Sequence, residues 1–147
     1  MRITSVEIEN FRSIGKLTMR DLGPFVVLYG PNGGGKSNIL RAIDCGMEAF
    51  AAVIGAPGIR AIQPTLDDLR LGAETIKVTL EIEVEPVTAT SGQRVVGLAT
   101  TTSWPRSDGP MAPKTTVRII DETVRGPDPT FGGAPAKASN RNSRGRS

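Results

Sequence analysis

The chain reads as an α/β lobe, with a mixed sheet entered through an N-terminal β-hairpin, one main helix after a glycine-rich loop, and a β-rich extension beyond. Three observations predict it. FVVLY, residues 25 to 29, is a short continuous apolar run rich in β-formers, the pattern of a strand buried on both faces of a mainly parallel sheet. GPNGGGKSN, residues 30 to 38, follows directly with four glycines in nine positions. Ile39, Leu40, Ile43, Met47, Phe50, Ala51 and Ile54 then recur at spacings of one, three and four, a stripe along one side of a helix.

From the N-terminus, Val6 and Ile8 alternate against Ser5, Glu7 and Glu9, the period of a half-buried strand. Arg12, Ser13 and Gly15 make a turn and Leu17 and Met19 begin a second alternating strand, so residues 2 to 20 form a hairpin. Asp21 to Pro24 turns the chain into the apolar run. The helix is expected from about Ser37 to Ile54, ending at GAPG, residues 55 to 58. TIKVTLEIEVE places Val78, Leu80, Ile82 and Val84 on one face of a strand, with Lys77, Thr79, Glu81, Glu83 and Glu85 on the other. Those three glutamates read as a solvated face rather than a metal site. RVVGLA and TTVRII are candidates for further antiparallel strands, separated by segment 103 to 113 around Trp104.

Three parts are expected: a lobe at 1–86, a weakly patterned β-rich extension at 87–125, and a tail at 126–147. In the tail Phe131 is the one large apolar residue among Gly, Pro, Ala, Ser, Asn and Arg, too little apolar surface to offset the entropy of ordering. The net charge is +3, from 18 basic and 15 acidic residues. Lys137, Arg141, Arg144 and Arg146 lie in the last eleven positions, which leaves residues 1 to 136 with 14 bases against 15 acids. The basic character therefore belongs to the tail.

Composition excludes several chemistries. There is no histidine and only one cysteine, Cys45, which rules out Ser-His-Asp and Cys-His nucleophile arrangements, histidine-based zinc sites and an internal disulfide. Cys45 falls in the expected helix as a small, partly buried side chain. No apolar run reaches membrane-spanning length and no signal peptide is apparent, so a cytoplasmic protein without membrane partners is expected.

Gly30-x4-Gly35-Lys36-Ser37 fits the phosphate-binding loop pattern GxxxxGK[ST] without a mismatch. Gly33, Gly34 and Gly35 let the backbone approach an anion closely, and their N–H groups and the helix start can form a nest for phosphate oxygens. In that pattern Lys36 reaches the β- and γ-phosphates of ATP and the Ser37 hydroxyl ligates Mg²⁺.

VEIENFRSIGKLTM followed by FVVLYGPNGGGKSNILRAID resembles the N-terminus of the SMC/RecF/OLD group of ABC-type, AAA-family ATPases. Members open with a strand ending in N-F-[RK]-S, a second strand, and then G-x-N-G-x-G-K-S-N-[IL]-L-x-A-I. Asn10, Phe11, Arg12 and Ser13 stand at the first motif here, and Asn32, Lys36, Ser37 and Asn38 at the second. The resemblance implies a P-loop NTPase lobe of ABC-ATPase type that binds ATP and Mg²⁺ and serves DNA repair, chromosome maintenance or phage defence. It places Arg12 and Ser13 beside the nucleotide and Asn32 near the γ-phosphate.

The same group needs an L-S-x-G signature and a Walker B strand of four apolar residues ending in Asp-Glu. Val117-Arg118-Ile119-Ile120-Asp121-Glu122 has the order of a Walker B strand, which makes Asp121 and Glu122 the candidate catalytic carboxylates, but Arg118 interrupts the apolar run. Ser91-Gly92-Gln93-Arg94 lacks the leucine and the second glycine of a signature. Gln63 is a weaker candidate for the Mg²⁺-sensing glutamine. The expectation is therefore the nucleotide-binding portion of such an ATPase, a truncated or split product that holds ATP without turning it over alone. Its expected partners are ATP, a second ATPase head or a chain supplying the missing motifs, and DNA. The competing expectation is a non-enzymatic interaction module with a degenerate nucleotide fold and an Arg-rich tail for nucleic acid.

Overall fold

The computed structural model describes residues 1–56, 62–84 and 93–125. Five strands form one sheet in the order β2-β1-β3-β4-β5, and every pairing among them is antiparallel. They are β1 Arg2–Phe11, β2 Ile14–Met19, β3 Thr75–Val84, β4 Gln93–Pro105 and β5 Lys114–Arg125. One helix, α1 Lys36–Val53, lies against the sheet, and a 3₁₀ turn at Leu66–Asp68 sits before β3. The expected tail at 126–147 and the Ser91-Gly92 start of the signature-like fragment lie outside the described residues.

The hairpin forms as its alternation requires. Val6 pairs with Leu80 and Ile8 with Val78 across β1 and β3, so the even positions of both strands share one face. Val6, Ile8, Ile76, Val78, Leu80 and Ile82 are all buried on it. On the opposite face Lys16 lies 3.2 Å from both Glu7 and Glu9, and Arg2 pairs with Glu83 at 2.7 Å. The Glu7 carboxyl is held below its ordinary range, first by its hydrogen bond with Lys16. The acid-bearing face is thus laced with cations from the neighbouring strands.

Beyond β3 the structure adds more strand than the short runs suggested. β4 extends to Pro105, which carries Trp104 into the sheet opposite Ile76 and buries it. Thr100 and Thr102 follow the same face and are buried too, Thr102 sharing a 3.0 Å hydroxyl contact with Thr115 of β5. Pairing with a neighbouring strand over ten positions overrides the turn character of the Ser103-Trp104-Pro105 sequence.

One sequence expectation is corrected. Residues 25–29 form no strand, and Phe25, Val26, Val27 and Tyr29 are 83%, 47%, 64% and 93% exposed. No backbone hydrogen bond joins the run to a strand among the described residues, so it has β-forming side chains but no ladder. The helix forms as expected, and its apolar stripe is buried unevenly: Phe50 and Ala51 are buried along with Ala42, Cys45, Gly46 and Ala49; Ile39, Ile43 and Met47 are half-buried against the core; and Leu40 and Ile54 are exposed. Small residues let the helix come close. A Cβ at Gly46 would stand 2.8 Å from Val78 Cγ1 and 3.2 Å from Leu80 Cδ1. Leu40, Ile43 and Met47 instead line an apolar groove of 440 Å³ together with Met1, Ile3, Met19, Leu22, Val26 and Leu28.

Candidate nucleotide-binding site

The site is built where the hairpin turn meets the start of α1. Gly33 and Gly35 take φ of +80° and +83°, a left-handed backbone that a side chain would strain, and Gly35 is the residue from which the helix starts. The first intrahelical bond runs from the Ile39 N–H to the Gly35 carbonyl at 3.0 Å, so the N–H groups of Lys36, Ser37 and Asn38 precede it. No acidic residue occupies the first turn of α1. Positive helix-end potential therefore faces the loop without a competing carboxylate.

The loop encloses a concavity of about 210 Å³ lined by Asn32, Gly33, Gly34, Gly35, Lys36, Ser37 and Asn38. Gly34 closes it with an N–H donated to the Pro31 carbonyl at 3.1 Å. Lys36 turns back over the same loop, where its Nζ donates to the carbonyl oxygens of Gly30 at 2.8 Å and Pro31 at 2.7 Å. An ammonium, exposed backbone amides and one hydroxyl, Ser37, thus surround a space that has no anionic side chain. That donor set suits a polyphosphate and its magnesium ion.

Arg12 and Ser13 are the two residues of the β1–β2 turn, closed by the pairing of Phe11 with Ile14. Asn38 reaches across to them: Arg12 Nη1 donates to Asn38 Oδ1 at 3.2 Å, and Asn38 Nδ2 donates to Ser13 Oγ at 3.0 Å. A Cβ at Gly35 would lie 3.7 Å from Ser13 Oγ, which measures how closely the turn approaches the loop. The structure therefore brings Arg12, Ser13, Gly35 and Asn38 together, with Asn32, Gly33, Gly34, Lys36 and Ser37 around the adjoining concavity.

Asp121 and Glu122 are placed elsewhere. They lie on β5, the edge strand, opposite Gly97 and Val96 of β4, where the flanking Ile119 and Ile120 are 69% and 48% exposed. Gln63 lines an open cleft with Thr65, Asp67 and Met111, to which no residue of the loop 30–38 contributes.

Sequence reasoning missed the residues that brace the site from behind. Asp68, at the end of the 3₁₀ turn, is fully buried and accepts from Arg12 Nε at 2.6 Å, from Arg41 Nε at 3.3 Å and from Arg41 Nη2 at 3.2 Å. The Thr65 N–H and hydroxyl donate to its other oxygen at 2.9 and 3.3 Å, completing a capping box. Burial pushes the Asp68 carboxyl upward, but the bonds from Arg41, the Thr65 N–H and Arg12 outweigh it and hold the group below its ordinary range. Arg41 is correspondingly pushed up by its bond to Asp68. Arg70 Nη1 donates to the Ser13 carbonyl at 2.8 Å and clamps the turn from the other side. The Thr-x-x-Asp spacing at 65–68 was the available signal. Cys45, on the buried face of α1, has a thiol pushed up to about 11 by desolvation and takes no part.

Residues 1–53 match the AAA ATPase domain family. The DNA replication and repair protein RecF of Chlorobium luteolum is 40% identical over 58 residues, 39% of this chain and 15% of that protein. Over this N-terminal stretch the chain is similar to the AAA ATPase domain and to RecF. The aligned stretch spans 15% of the relative's length. A solved chain from structural biochemistry of ATP-driven dimerization and DNA-stimulated activation of SMC ATPases superposes with a TM-score of 0.53. That superposition covers 87% of this chain and 73% of the other at 20% identity, and shows a shared fold. Among the described residues no helix is long and apolar enough to cross a membrane.

Proposed function

We propose that this SMC/RecF-like lobe binds ATP·Mg²⁺ in the loop 30–38 and works as the nucleotide-holding part of an ATPase acting on DNA. The observation that carries the proposal is the concavity at the start of α1, shaped by left-handed Gly33 and Gly35 and overhung by the Lys36 ammonium. Lys36 exchanges its two carbonyl partners for β- and γ-phosphate oxygens, Ser37 ligates Mg²⁺, and the N–H groups at 33 to 38 face the phosphates. Asn32 stands by the γ-phosphate, with Arg12 and Ser13 beside the nucleotide. In this reaction class ATP with Mg²⁺ would supply the γ-phosphoryl group, which water attacks in line with ADP as the leaving group.

Hydrolysis also needs a carboxylate that orients water and a signature loop that meets the γ-phosphate. We assign both to a further polypeptide segment or a second ATPase head rather than to Asp121 and Glu122, whose edge strand is exposed. The unpaired apolar run 25–29 and the apolar groove beside it support such a packing partner. The RecF relative, named for DNA replication and repair, supports a role in DNA repair, with chromosome maintenance and phage defence as the other roles open to this group.

Titration calorimetry with ATP·Mg²⁺ on the wild type and Lys36→Ala tests the proposal. Binding by the wild type and a loss of at least about a hundredfold in the variant are expected, since a charge-assisted contact to phosphate is removed from a site with no other fixed ammonium in its lining. Equal affinity in both proteins would overturn it.

A further inference from the structure

We propose that Asp68 is a positioning residue of the nucleotide site, acting through Arg12 to set the hairpin turn and the first turn of α1 against the phosphate loop. The inference rests on the ATP-binding reading above. Three separate pieces of the chain meet at this carboxylate. Arg12 comes from the β1–β2 turn, Arg41 from the second turn of α1, Thr65 from the start of the 3₁₀ turn, and Asp68 itself is wholly buried between them. A buried carboxylate requires paired donors, and one of the donors here, Arg12, also reaches Asn38 of the loop.

The geometry runs in one continuous line. Asp68 Oδ1 accepts a hydrogen bond from Arg12 Nε at 2.6 Å, which leaves Nη1 directed at Asn38 Oδ1 at 3.2 Å. That contact fixes the Asn38 amide so that its Nδ2 donates to Ser13 Oγ at 3.0 Å, beside Gly35. The backbone is tied in parallel, since the Arg12 N–H donates to the Asp68 carbonyl at 2.7 Å and the Arg70 N–H to the Asn10 carbonyl at 3.0 Å. Arg12 holds φ of +50° and Asn10 +59°, left-handed values costly for residues with side chains, and these bonds hold them there. A planar guanidinium serves where a lysine would not, because two of its donors point in fixed, different directions.

The experiment is a double-mutant cycle on the full chain, with Arg12→Ala, Asp68→Asn and the double variant titrated with ATP·Mg²⁺ beside the wild type and Lys36→Ala. Each single variant is expected to bind about tenfold more weakly, the scale of one lost charge-assisted bond. The double variant should bind no more than about twofold worse than Arg12→Ala alone, because Asp68 has nothing left to position. Additive losses, or wild-type affinity in Asp68→Asn, overturn the positioning role. Arg12→Lys covers the case in which Asp68→Asn does not fold. It retains the charge beside Asp68 but cannot span Asp68 and Asn38 with fixed geometry, so several-fold weaker binding with an unchanged melting temperature is expected. Wild-type affinity in Arg12→Lys overturns the role as well. If the wild type itself takes up no ATP, the proposed function fails; if it binds and Lys36→Ala does not, a failed cycle counts against Asp68 alone.

Discussion

Gly46→Ala sets two known effects against each other at the point where α1 rests on the sheet. In a helix interior alanine is favoured over glycine by about 1 kcal/mol. Opposing this, the added Cβ would stand 2.8 Å from Val78 Cγ1, roughly an ångström inside ordinary carbon contact, and 3.2 Å from Leu80 Cδ1. Val78 cannot yield easily, being β-branched, buried and paired on both sides with Ile8 and Thr102. Overpacking of this kind costs about 1 to 3 kcal/mol, so a net loss of about 1 kcal/mol is expected. For a domain of this size that is a fall in melting temperature of about 4 °C, read by circular dichroism at 222 nm. A rise of similar size would show that the helix shifts away freely and that close seating on β3 does not fix its position. Because α1 carries Lys36 and Ser37 at its start, the same variant should weaken ATP binding if seating matters to the site.

Further outcomes follow from the loop and its brace. Gly33→Ala meets no atom within 4 Å but must adopt φ of +80°, so it should leave the melting temperature nearly unchanged while calorimetry shows ATP affinity reduced about tenfold as the loop abandons its left-handed turn. Folding holds the Asp68 carboxyl below its ordinary value, so its contribution is complete above about pH 4, the unfolded pKa, and is lost as pH falls through the lower folded one. Thermal melts from pH 7 to pH 3 should therefore be level at first and fall below about pH 4, and the acid fall should be shallower in Asp68→Asn. An equal slope in both proteins would remove Asp68 from the acid response.

What could be read directly from the sequence was local. The phosphate loop is contiguous, so Gly33, Gly35, Lys36 and Ser37 announce their geometry by spacing alone, and the alternation of β1 and β3 fixes which side chains face the core. The apolar run 25–29 misled because β-propensity describes side chains, while a strand exists only where another backbone meets its hydrogen-bonding groups. For the helix, periodicity gave the apolar stripe but not which of its residues sit deepest, because Gly46 and its alanine neighbours decide where the helix comes closest to the sheet. Asp68 was hidden by distance in the chain, lying 56 positions from Arg12 and 27 from Arg41, and no pattern within a short window joins them.

The exposed run at 25–29 has one more consequence, for the handling and synthesis of the protein. Between Asp21 and Lys36 the sequence carries no charge, and Phe25, Val26, Val27 and Tyr29 stand in solvent with β-forming side chains and an unpaired backbone. Such a segment is a template for self-stacking into intermolecular cross-β ribbons, since nothing electrostatic keeps two copies apart. Precipitation should set in above a threshold concentration and be delayed by a gatekeeper such as Val27→Lys, which puts a charge at the centre of the run. In a cell the same segment is a target for holdase chaperones from the time it leaves the ribosome until something covers it.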